Sequence, residues 1–326
     1  MGAIVRIGIL SDIHYASEAE RARGNQYEAS VIPNPLLRRS VQLYRRFIWM
    51  HEPLNQNYLL SRFLEREEHF DYVIANGDYS CDSEFVGVSD PAAYQSVREC
   101  LDKLQQRFGR SLLINYGDHE LGKCSLFGGR GGMRLASWRR AQQGLGLRPF
   151  WQLQLGVYVL IGVVSSLVAL SVYEADTLSS ERIEWERLRH EHLLEIRDAF
   201  TTLRPEQRVV LFCHDPTAIP FLFREESIRA KLTQLEQTII GHLHSKLFFW
   251  NSRMLAGIPR ITFLGHTAKR MSSALREARL WRPFHVRLCP ALAGIQLLKD
   301  GGYLVLELDP GGKRAAHFEF RALPRA

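Results

Sequence analysis

The amino-acid sequence predicts an α/β protein. Short aliphatic runs of strand length recur along the chain, and segments with helical spacing of apolar residues lie between them. A hydrophobic content of 46% in 326 residues is enough to bury a substantial core. Each run ends in a small residue and is followed at once by acidic or histidine residues, as expected for interior strands bounded by turns. The runs are IVRIGILSDIH, DYVIANGD, SLLINYGDHE, RVVLFCHDP and QTIIGHLH.

Three segments between these runs have the pattern of amphipathic helices. NQNYLLSRFLEREEHF, which begins at Asn55, places its apolar residues at helical spacing. The next helix is predicted to begin after Asp90 as its cap, with Pro91 in the first turn, and to end at Gly109. The third, SSERIEWERLRHEHLLEIRDAF, is long and charged. Residues 302–322 predict a terminal hairpin around a Pro-Gly-Gly turn.

The apolar segment from Leu155 to Ala175 has two interpretations. Its length approaches that of a membrane span. It is rich in valine, however, is interrupted by glycine and serine, and has no flanking cationic residues. We therefore expect two consecutive buried strands and no transmembrane segment. The apolar N-terminus contains Arg6 and is expected to be the first strand rather than a signal peptide.

The composition favours anionic partners in a reducing compartment. The formal net charge is +7 and the pI is about 9.3, which suits phosphates, acidic lipid surfaces or nucleic acid without choosing among them. Five cysteines are scattered without a CxxC motif, which indicates a reduced cytosolic protein. We expect a cytoplasmic location, which allows peripheral contact at the inner membrane face.

Five predicted strands deliver similar chemical groups to one edge of the fold. Ligands of open α/β sheets gather beyond the carboxyl ends of the strands. The groups there are carboxylates and imidazoles, which bind borderline and hard divalent ions. A carboxylate such as Asp78 can bridge two ions. The sequence therefore predicts a metal cluster formed by Asp12, His14, Asp78, Asp118, His119, His214, His242 and His244.

The series of motifs resembles that of the calcineurin-like metallophosphoesterases. Their signature is D-x-H, GD, GN-H-[DE], a lone H, and GH-x-H; here it reads DIH, GD, GDHE, H and GHLH over residues 12–244. The resemblance implies a four-layer α/β/β/α sandwich of two mixed sheets in a single domain, residues 1–326. Basic and aromatic insertions near 15–54, 121–150 and 266–294 would form a rim or cap over the metal edge.

The resemblance also implies roles for the cluster residues. His119 would act as general acid to the leaving oxygen, or as a contact to a phosphoryl oxygen. The cofactors would be two divalent ions, Mn²⁺ first among Mg²⁺, Fe²⁺ and Zn²⁺. One ion would be held by Asp12, His14, Asp78 and His244, and the other by Asp78, Asp118, His214 and His242.

Asp118 departs from the pattern, which usually has asparagine there. The additional charge predicts tighter binding of hard ions and a less acidic bridging water. It also predicts that the neighbouring His119 favours its protonated form. A metal-binding module without catalytic activity is an alternative that rests on this residue alone.

Several residues admit a purely structural interpretation. His51, His69, His190, His192, His285 and His317 are expected at the surface, and Cys213 is expected to be a buried thiol. His266 follows a strand and a glycine, and a core or turn position is favoured over substrate contact.

Three basic stretches are candidates for substrate binding. The alternative is that they only form a charged surface exposed to solvent. We expect Arg130, Arg134 and Arg282 to contact substrate phosphate. Arginine and tryptophan interleaved with leucine and phenylalanine suit an anionic lipid layer. The arrangement is similar to the UDP-2,3-diacylglucosamine pyrophosphate hydrolases, so a lipid-linked nucleotide is the favoured substrate. A nuclease or cyclic-nucleotide phosphodiesterase is the alternative.

Overall fold

The computed structural model describes residues 4–24, 32, 34–123, 131–261, 265–323 and 325. Two five-stranded mixed β-sheets face each other with helices outside them, which confirms the predicted α/β fold class. The strands are β1 (Val5–Leu10), β2 (Tyr72–Asn76), β3 (Leu112–Asn115), β4 (Trp151–Leu155), β5 (Tyr158–Val163), β6 (Arg208–Cys213), β7 (Leu235–Ile240), β8 (Val286–Leu288), β9 (Gly302–Leu308) and β10 (His317–Ala322).

The first sheet has the order β10-β9-β1-β2-β3, and the second has the order β4-β5-β6-β7-β8. Strands β1, β2 and β3 are parallel, as are β5 to β8, while β9, β10 and β4 are antiparallel to their neighbours. The five motif-bearing strands, β1, β2, β3, β6 and β7, all lie in the parallel regions. Within each sheet, the carboxyl ends of these strands therefore lie at the same edge. Strands β9 and β10 form the hairpin that the sequence predicts.

Side-chain alternation divides the core into an inner and an outer part. Between the sheets, Ile7 and Leu306 pack in one cluster with Leu160 and Phe212 of the second sheet. The outward-facing residues of the same strands belong to a second cluster with the helices. Successive residues of β5 illustrate this, because Tyr158 and Leu160 face the other sheet while Val159 and Ile161 face the helices. This is the layered arrangement that fully apolar strands require.

Longer helices cover the outer faces of the sheets. Asp90 caps its helix by accepting a hydrogen bond from Ala93 N, as predicted, and that helix ends at Gly109. The helices are Glu18–Arg23, Pro35–Tyr44, Asn57–Leu64, Pro91–Phe108, Leu135–Leu145, Arg182–Thr201, Ile219–Arg224, Lys246–Met254 and Gly265–Glu277, with one-turn helices at Ser165–Val168, Leu170–Tyr173 and Glu226–Arg229. A π-helical turn, Arg45–Trp49, extends Pro35–Tyr44.

The apolar segment from Leu155 to Ala175 differs from its prediction. It contains one strand, β5, followed by two one-turn helices, rather than two consecutive strands. An unbroken apolar run lacks the periodicity that separates a buried strand from a buried helix, which explains the error. Within the described parts of the chain, no helix has the length and hydropathy needed to cross a bilayer.

Candidate metal centre

Backbone pairing continues past the strand ends and positions the polar residues. After β1, Asp12 N donates to Gly77 O at 3.1 Å and His14 N donates to Asp78 O at 3.0 Å. In the second sheet, Gly241 N donates to His214 O at 2.9 Å. These bonds extend the parallel pairing by a few residues, so the loops keep the register of the sheets as they enter the centre.

Two glycines allow the loops to approach one another. A Cβ atom on Gly117 would lie 2.1 Å from Asp78 Oδ1. A Cβ atom on Gly241 would lie 2.0 Å from Ser11 Oγ and 2.5 Å from Asp12 Oδ2. Neither position has room for a side chain, so Gly117 is required for close packing of two loops of the first sheet, and Gly241 for close packing of the two sheets.

Five of the predicted ligand residues have left-handed backbone conformations. Their φ angles lie between 50° and 59° and belong to Asp12, His14, Asp78, His242 and His244. Non-glycine residues adopt this region rarely, and aspartate and histidine are among those that adopt it most easily. Such conformations cluster at functional sites because the surrounding structure must impose them. The sequence did not predict this feature.

All eight predicted cluster residues lie together. Their ligand atoms form groups in which every pair lies within 4.8 Å. Asp78 and His14 each belong to two of these groups, so the groups overlap. The groups are Asp78 with Asp118, His214 and His242; Asp12 with His14 and His244; and His14 with Asp78 and His119.

In the first half of the centre, two histidines face each other. His14 Nδ1 contacts Ser80 O at 3.2 Å and therefore carries the proton, which leaves a lone pair on Nε2. That Nε2 lies 3.2 Å from His244 Nε2, and His244 Nε2 lies 3.2 Å from Asp12 Oδ1. His244 Nδ1 is buried without a hydrogen-bond partner. Asp12 also accepts a hydrogen bond from His242 N, which joins the two sheets.

In the second half of the centre, two histidine side chains lie beside the carboxylates of Asp78 and Asp118. His214 Nε2 lies 3.1 Å from Asp78 Oδ2 and 3.5 Å from Asp118 Oδ1. His242 Nδ1 lies 3.0 Å from Asp118 Oδ1. The His214 and Asp78 atoms are close but lack the alignment of a hydrogen bond, and both are buried. His214 Nδ1 is fixed from behind by Asn76 O at 2.5 Å.

The two halves have different electrostatics. Burial lowers the pKa of His242, but Asp215 and Asp118 outweigh it and raise that pKa to about 10. Burial also opposes protonation of His214, yet Asp78 and Asp12 raise its pKa well above the ordinary value. In contrast, burial and the neighbouring His14 lower the pKa of His244 well below its ordinary value.

The donor set fits a pair of divalent cations. Three carboxylates and four imidazoles converge on one buried space, and Asp78 Oδ2 and His214 Nε2 find no hydrogen-bond partner there. Buried polar atoms without partners are costly, so such a cluster indicates a group that completes it. Imidazole and carboxylate suit divalent ions, and the chain fixes two of the ring orientations through the carbonyls of Ser80 and Asn76.

His119 lies beside both halves. Its Nδ1 contacts Ser80 O at 2.8 Å, and its Nε2 lies 3.6 Å from Asp78 Oδ2. Burial lowers the pKa of His119 to about 3, which outweighs the attraction of Asp78 and Asp118. The charge of Asp118 raises the pKa of His119, as expected, but burial lowers that pKa by more. Desolvation in this buried pocket is stronger than the effect of the neighbouring charge.

Glu120 is a residue of the centre to which the sequence analysis gave no role. Its buried carboxylate accepts hydrogen bonds from Gly117 N at 2.7 Å, Tyr79 N at 2.9 Å and Asp78 N at 3.0 Å. Burial, and then the charge of Asp78, raises the pKa of Glu120 to about 8. Glu120 thus ties the loop after β2 to the loop after β3. The signal was present in the last letter of the GDHE motif.

The three arginines predicted to contact substrate have different positions. Arg134 donates through both Nη atoms to the carbonyl oxygens of Gly131, Gly132, Met133 and Asp176, so these donors brace the chain. Its contact with a substrate stays a prediction. Arg282 is exposed, directly after the turn that carries Trp281. Arg130 lies outside the described residues.

The other histidines and Cys213 largely follow their predictions. Cys213 is fully buried at the end of β6. His192 is an exception, because it is buried and its Nε2 accepts a hydrogen bond from Val164 N at 3.0 Å. The side chain of His266 lies outside the described part of the chain. Exposed positions are occupied by His51, His69, His190, His285 and His317.

Two solved structures are similar to this chain at low sequence identity. One is a conserved uncharacterized protein from Streptococcus pneumoniae TIGR4, described as a predicted phosphoesterase; it is 11% identical with a TM-score of 0.30, over 98% of this chain and 100% of that chain. The other is a dimetal phosphatase from Danio rerio, 11% identical with a TM-score of 0.40, over 98% of this chain and 96% of that chain. Comparison with curated proteins finds no match.

The family model for calcineurin-like phosphoesterases matches residues 5–246. This range includes every strand end that contributes to the centre, from the DIH motif after β1 to the GHLH motif after β7. The chain belongs to the calcineurin-like phosphoesterase family and is a metal-dependent hydrolase of phosphoester bonds.

Proposed function

We propose that this chain hydrolyses a phosphodiester or pyrophosphate bond at a dinuclear centre. The observation that carries this proposal is the overlap of the donor groups, because Asp78 belongs both to the group of Asp118, His214 and His242 and to the group of His14 and His119. When bound, two ions would polarise the phosphate and acidify a water molecule. One ion would be held by Asp12, His14, Asp78 and His244, and the other by Asp78, Asp118, His214 and His242.

The protein's own residues would provide orientation and proton transfer. Ser80 O fixes the ring of His119 from one side, so that its Nε2 is directed toward the centre. The negative charge of a bound phosphate would favour the protonated ring, which could then contact a phosphoryl oxygen through Nε2 or pass a proton to the leaving oxygen. Glu120 holds the loops of Asp78 and Gly117 together, which limits the freedom of the bridging carboxylate. Burial of nearly all these groups excludes bulk water and strengthens their electrostatic effects.

For the metal, we propose Mn²⁺. Three carboxylates and four imidazoles make a donor set for borderline to hard ions, and the donor groups contain no thiolate. Asp118 contributes a charge where the family pattern has a neutral amide, which favours harder ions. Mg²⁺, Fe²⁺ and Zn²⁺ are the alternatives.

For the substrate, we propose a lipid-linked nucleotide of the UDP-diacylglucosamine type, met by a cytoplasmic enzyme at the inner face of the membrane. Exposed apolar and cationic residues beside the centre support this proposal. Arg282 is retained as a phosphate contact because it is exposed. The alternative, a nuclease or nucleotide phosphodiesterase, is supported by the net charge of +7.

A substrate panel tests the proposed chemistry. With Mn²⁺ present, we expect cleavage of bis(p-nitrophenyl) phosphate and faster cleavage of UDP-diacylglucosamine in detergent, and EDTA should abolish both. Faster cleavage of single-stranded DNA or a cyclic nucleotide, with affinity that falls steeply with salt, would favour the alternative. Cleavage of none of these substrates, or cleavage that persists in EDTA, would contradict the proposal.

Asp118→Asn should produce a working enzyme with a changed metal preference. The amide keeps one oxygen near His242 and His214 but removes a ligand charge. We expect Mn²⁺ binding to weaken by about tenfold while activity with Zn²⁺ is retained. Calorimetric titration and metal-dependent activity measure this, with Asp102→Asn on an exposed helix surface as a control. Loss of activity with every ion would show that the carboxylate has a further role.

A further inference from the structure

The helical segment Pro35–Trp49 exposes apolar side chains that no other described part of the chain covers. Neither Pro35–Tyr44 nor Arg45–Trp49 has a buried residue. Leu36 is 77% exposed, Leu43 is 49% exposed and Phe47 is 59% exposed. Their separations of seven and four residues place them on one side of the helix. A continuous exposed apolar stripe of this kind marks an interaction surface rather than an ordinary solvated helix.

Two further segments extend this surface. Leu297 N donates to Ile48 O at 3.1 Å and Gln296 N donates to Trp49 O at 2.6 Å, which joins the loop 291–299 to the helix end. Leu297 and Leu298 of that loop are exposed. Trp49 also packs edge-on against Phe248 of the helix Lys246–Met254, with 5.4 Å between ring centroids. We name residues 34–50, 246–261 and 291–299 the cationic apolar face.

The charge of this face has a single sign. Its three segments contain no aspartate or glutamate. They carry eight cationic residues, whereas the net charge of the whole chain is +7. Such concentration of positive charge around exposed leucine, phenylalanine and tryptophan complements an anionic, apolar surface. The cationic residues are Arg38, Arg39, Arg45, Arg46, Lys246, Arg253, Arg260 and Lys299.

All three segments meet at one residue of the candidate metal centre. The ring of Trp49 lies 4.7 Å from the ring of His244, centroid to centroid. Ala291 N donates to His244 O at 2.9 Å. The helix Lys246–Met254 begins two residues after His244, with Ser245 as its cap. A molecule held against this face would therefore lie next to the centre.

We propose that the cationic apolar face docks on an anionic lipid bilayer and presents the metal centre to the membrane surface. Docking deepens the proposed function. It rests on that function only in one respect, which is that the substrate is linked to a lipid. Aliphatic and aromatic side chains would enter the headgroup boundary, and the exposed Arg39 and Arg46 would pair with lipid phosphates. Nucleic acid could bind the cationic side chains but would leave the exposed leucines without an apolar partner. An anionic bilayer offers a partner to both kinds of side chain.

Vesicle sedimentation of the full-length chain tests this proposal. With EDTA present, we expect binding to phosphatidylcholine vesicles that contain phosphatidylglycerol and little binding to phosphatidylcholine alone. The double variant L43E/F47E should lose at least about tenfold in partitioning. The double variant R39Q/R46Q should lose at least about tenfold on anionic vesicles only.

Matched variants serve as controls. I183E changes an apolar side chain that is 89% exposed on the helix Arg182–Thr201, and R110Q/R148Q removes two exposed charges elsewhere; both should bind vesicles like the wild type. Equal losses in test and control variants would overturn the proposal. So would test variants that keep vesicle binding but lose binding to single-stranded DNA.

Hydrolysis of bis(p-nitrophenyl) phosphate without vesicles separates docking from chemistry. We expect L43E/F47E to retain this activity, which also shows that it folds. A wild type that cleaves the soluble ester but does not bind anionic vesicles refutes docking and leaves the proposed function intact. Vesicle binding by a chain that cleaves no phosphodiester supports docking and refutes the proposed function.

Discussion

Asp78→Ala is expected to release both metal ions and to abolish hydrolysis. Asp78 belongs to two overlapping donor groups, and its Oδ2 lies 3.1 Å from His214 Nε2 and 3.6 Å from His119 Nε2. A carboxylate in that position is the only bridge proposed between the two ligand sets. Without it, each set keeps three ligands but loses the charge that holds the ions close together.

The measurement is metal content by mass spectrometry after loading with Mn²⁺ and removal of free metal, together with bis(p-nitrophenyl) phosphate cleavage. Asp82→Asn is the matched control, because Asp82 is also buried with a φ of 45° but belongs to none of the donor groups found among the described residues. The control should retain metal. If the Asp78→Ala variant retains two ions per chain, Asp78 is not the bridging ligand.

His119→Ala is expected to lower turnover of a substrate with a poor leaving group by about 10²–10⁴-fold while the metal content persists. His119 is held by Ser80 O, and its Nε2 approaches the centre without a close hydrogen-bond partner. A group that supplies a proton to the leaving oxygen matters most when that oxygen leaves reluctantly. The loss should therefore be much smaller for p-nitrophenyl esters than for alkyl esters.

The dependence on leaving group separates the two roles that the geometry allows. His119 also forms a donor group with His14 and Asp78, so it could bind metal. Simultaneous loss of metal and of activity on both ester types would identify it as a ligand. His190→Ala, on the exposed side of the helix Arg182–Thr201, is the control and should change neither quantity.

The sequence predicts those parts of the fold in which a local pattern, such as an apolar run, has the same cause as the position of the segment in the folded chain. The runs that become β1, β2, β3, β6 and β7 are apolar because both faces of each strand are buried, and the turn that follows each run needs glycine or polar residues. The same turns carry the candidate ligands. Their convergence therefore follows from strand ends that share one edge of the fold.

Other features depend on partners distant in sequence. His192 is buried because it accepts a hydrogen bond from the backbone of Val164, and its own helix gives no sign of this. Arg134 lies among carbonyl oxygens that include that of Asp176, so its charge alone could not distinguish a brace from a phosphate contact. The left-handed conformations of Asp12 and Asp78 are imposed by the loops around them.

The carbonyl of Ser80 serves two imidazoles, those of His14 and His119, and the carbonyl of Asn76 serves a third, that of His214. Every amino acid has this oxygen, so the tautomers of three rings are encoded by the route of the main chain rather than by the side chains at 76 and 80. Relatives could therefore carry another small residue at position 80, which is fully buried, and keep the same ring orientations. The absence of a preferred residue there would reveal nothing about its importance.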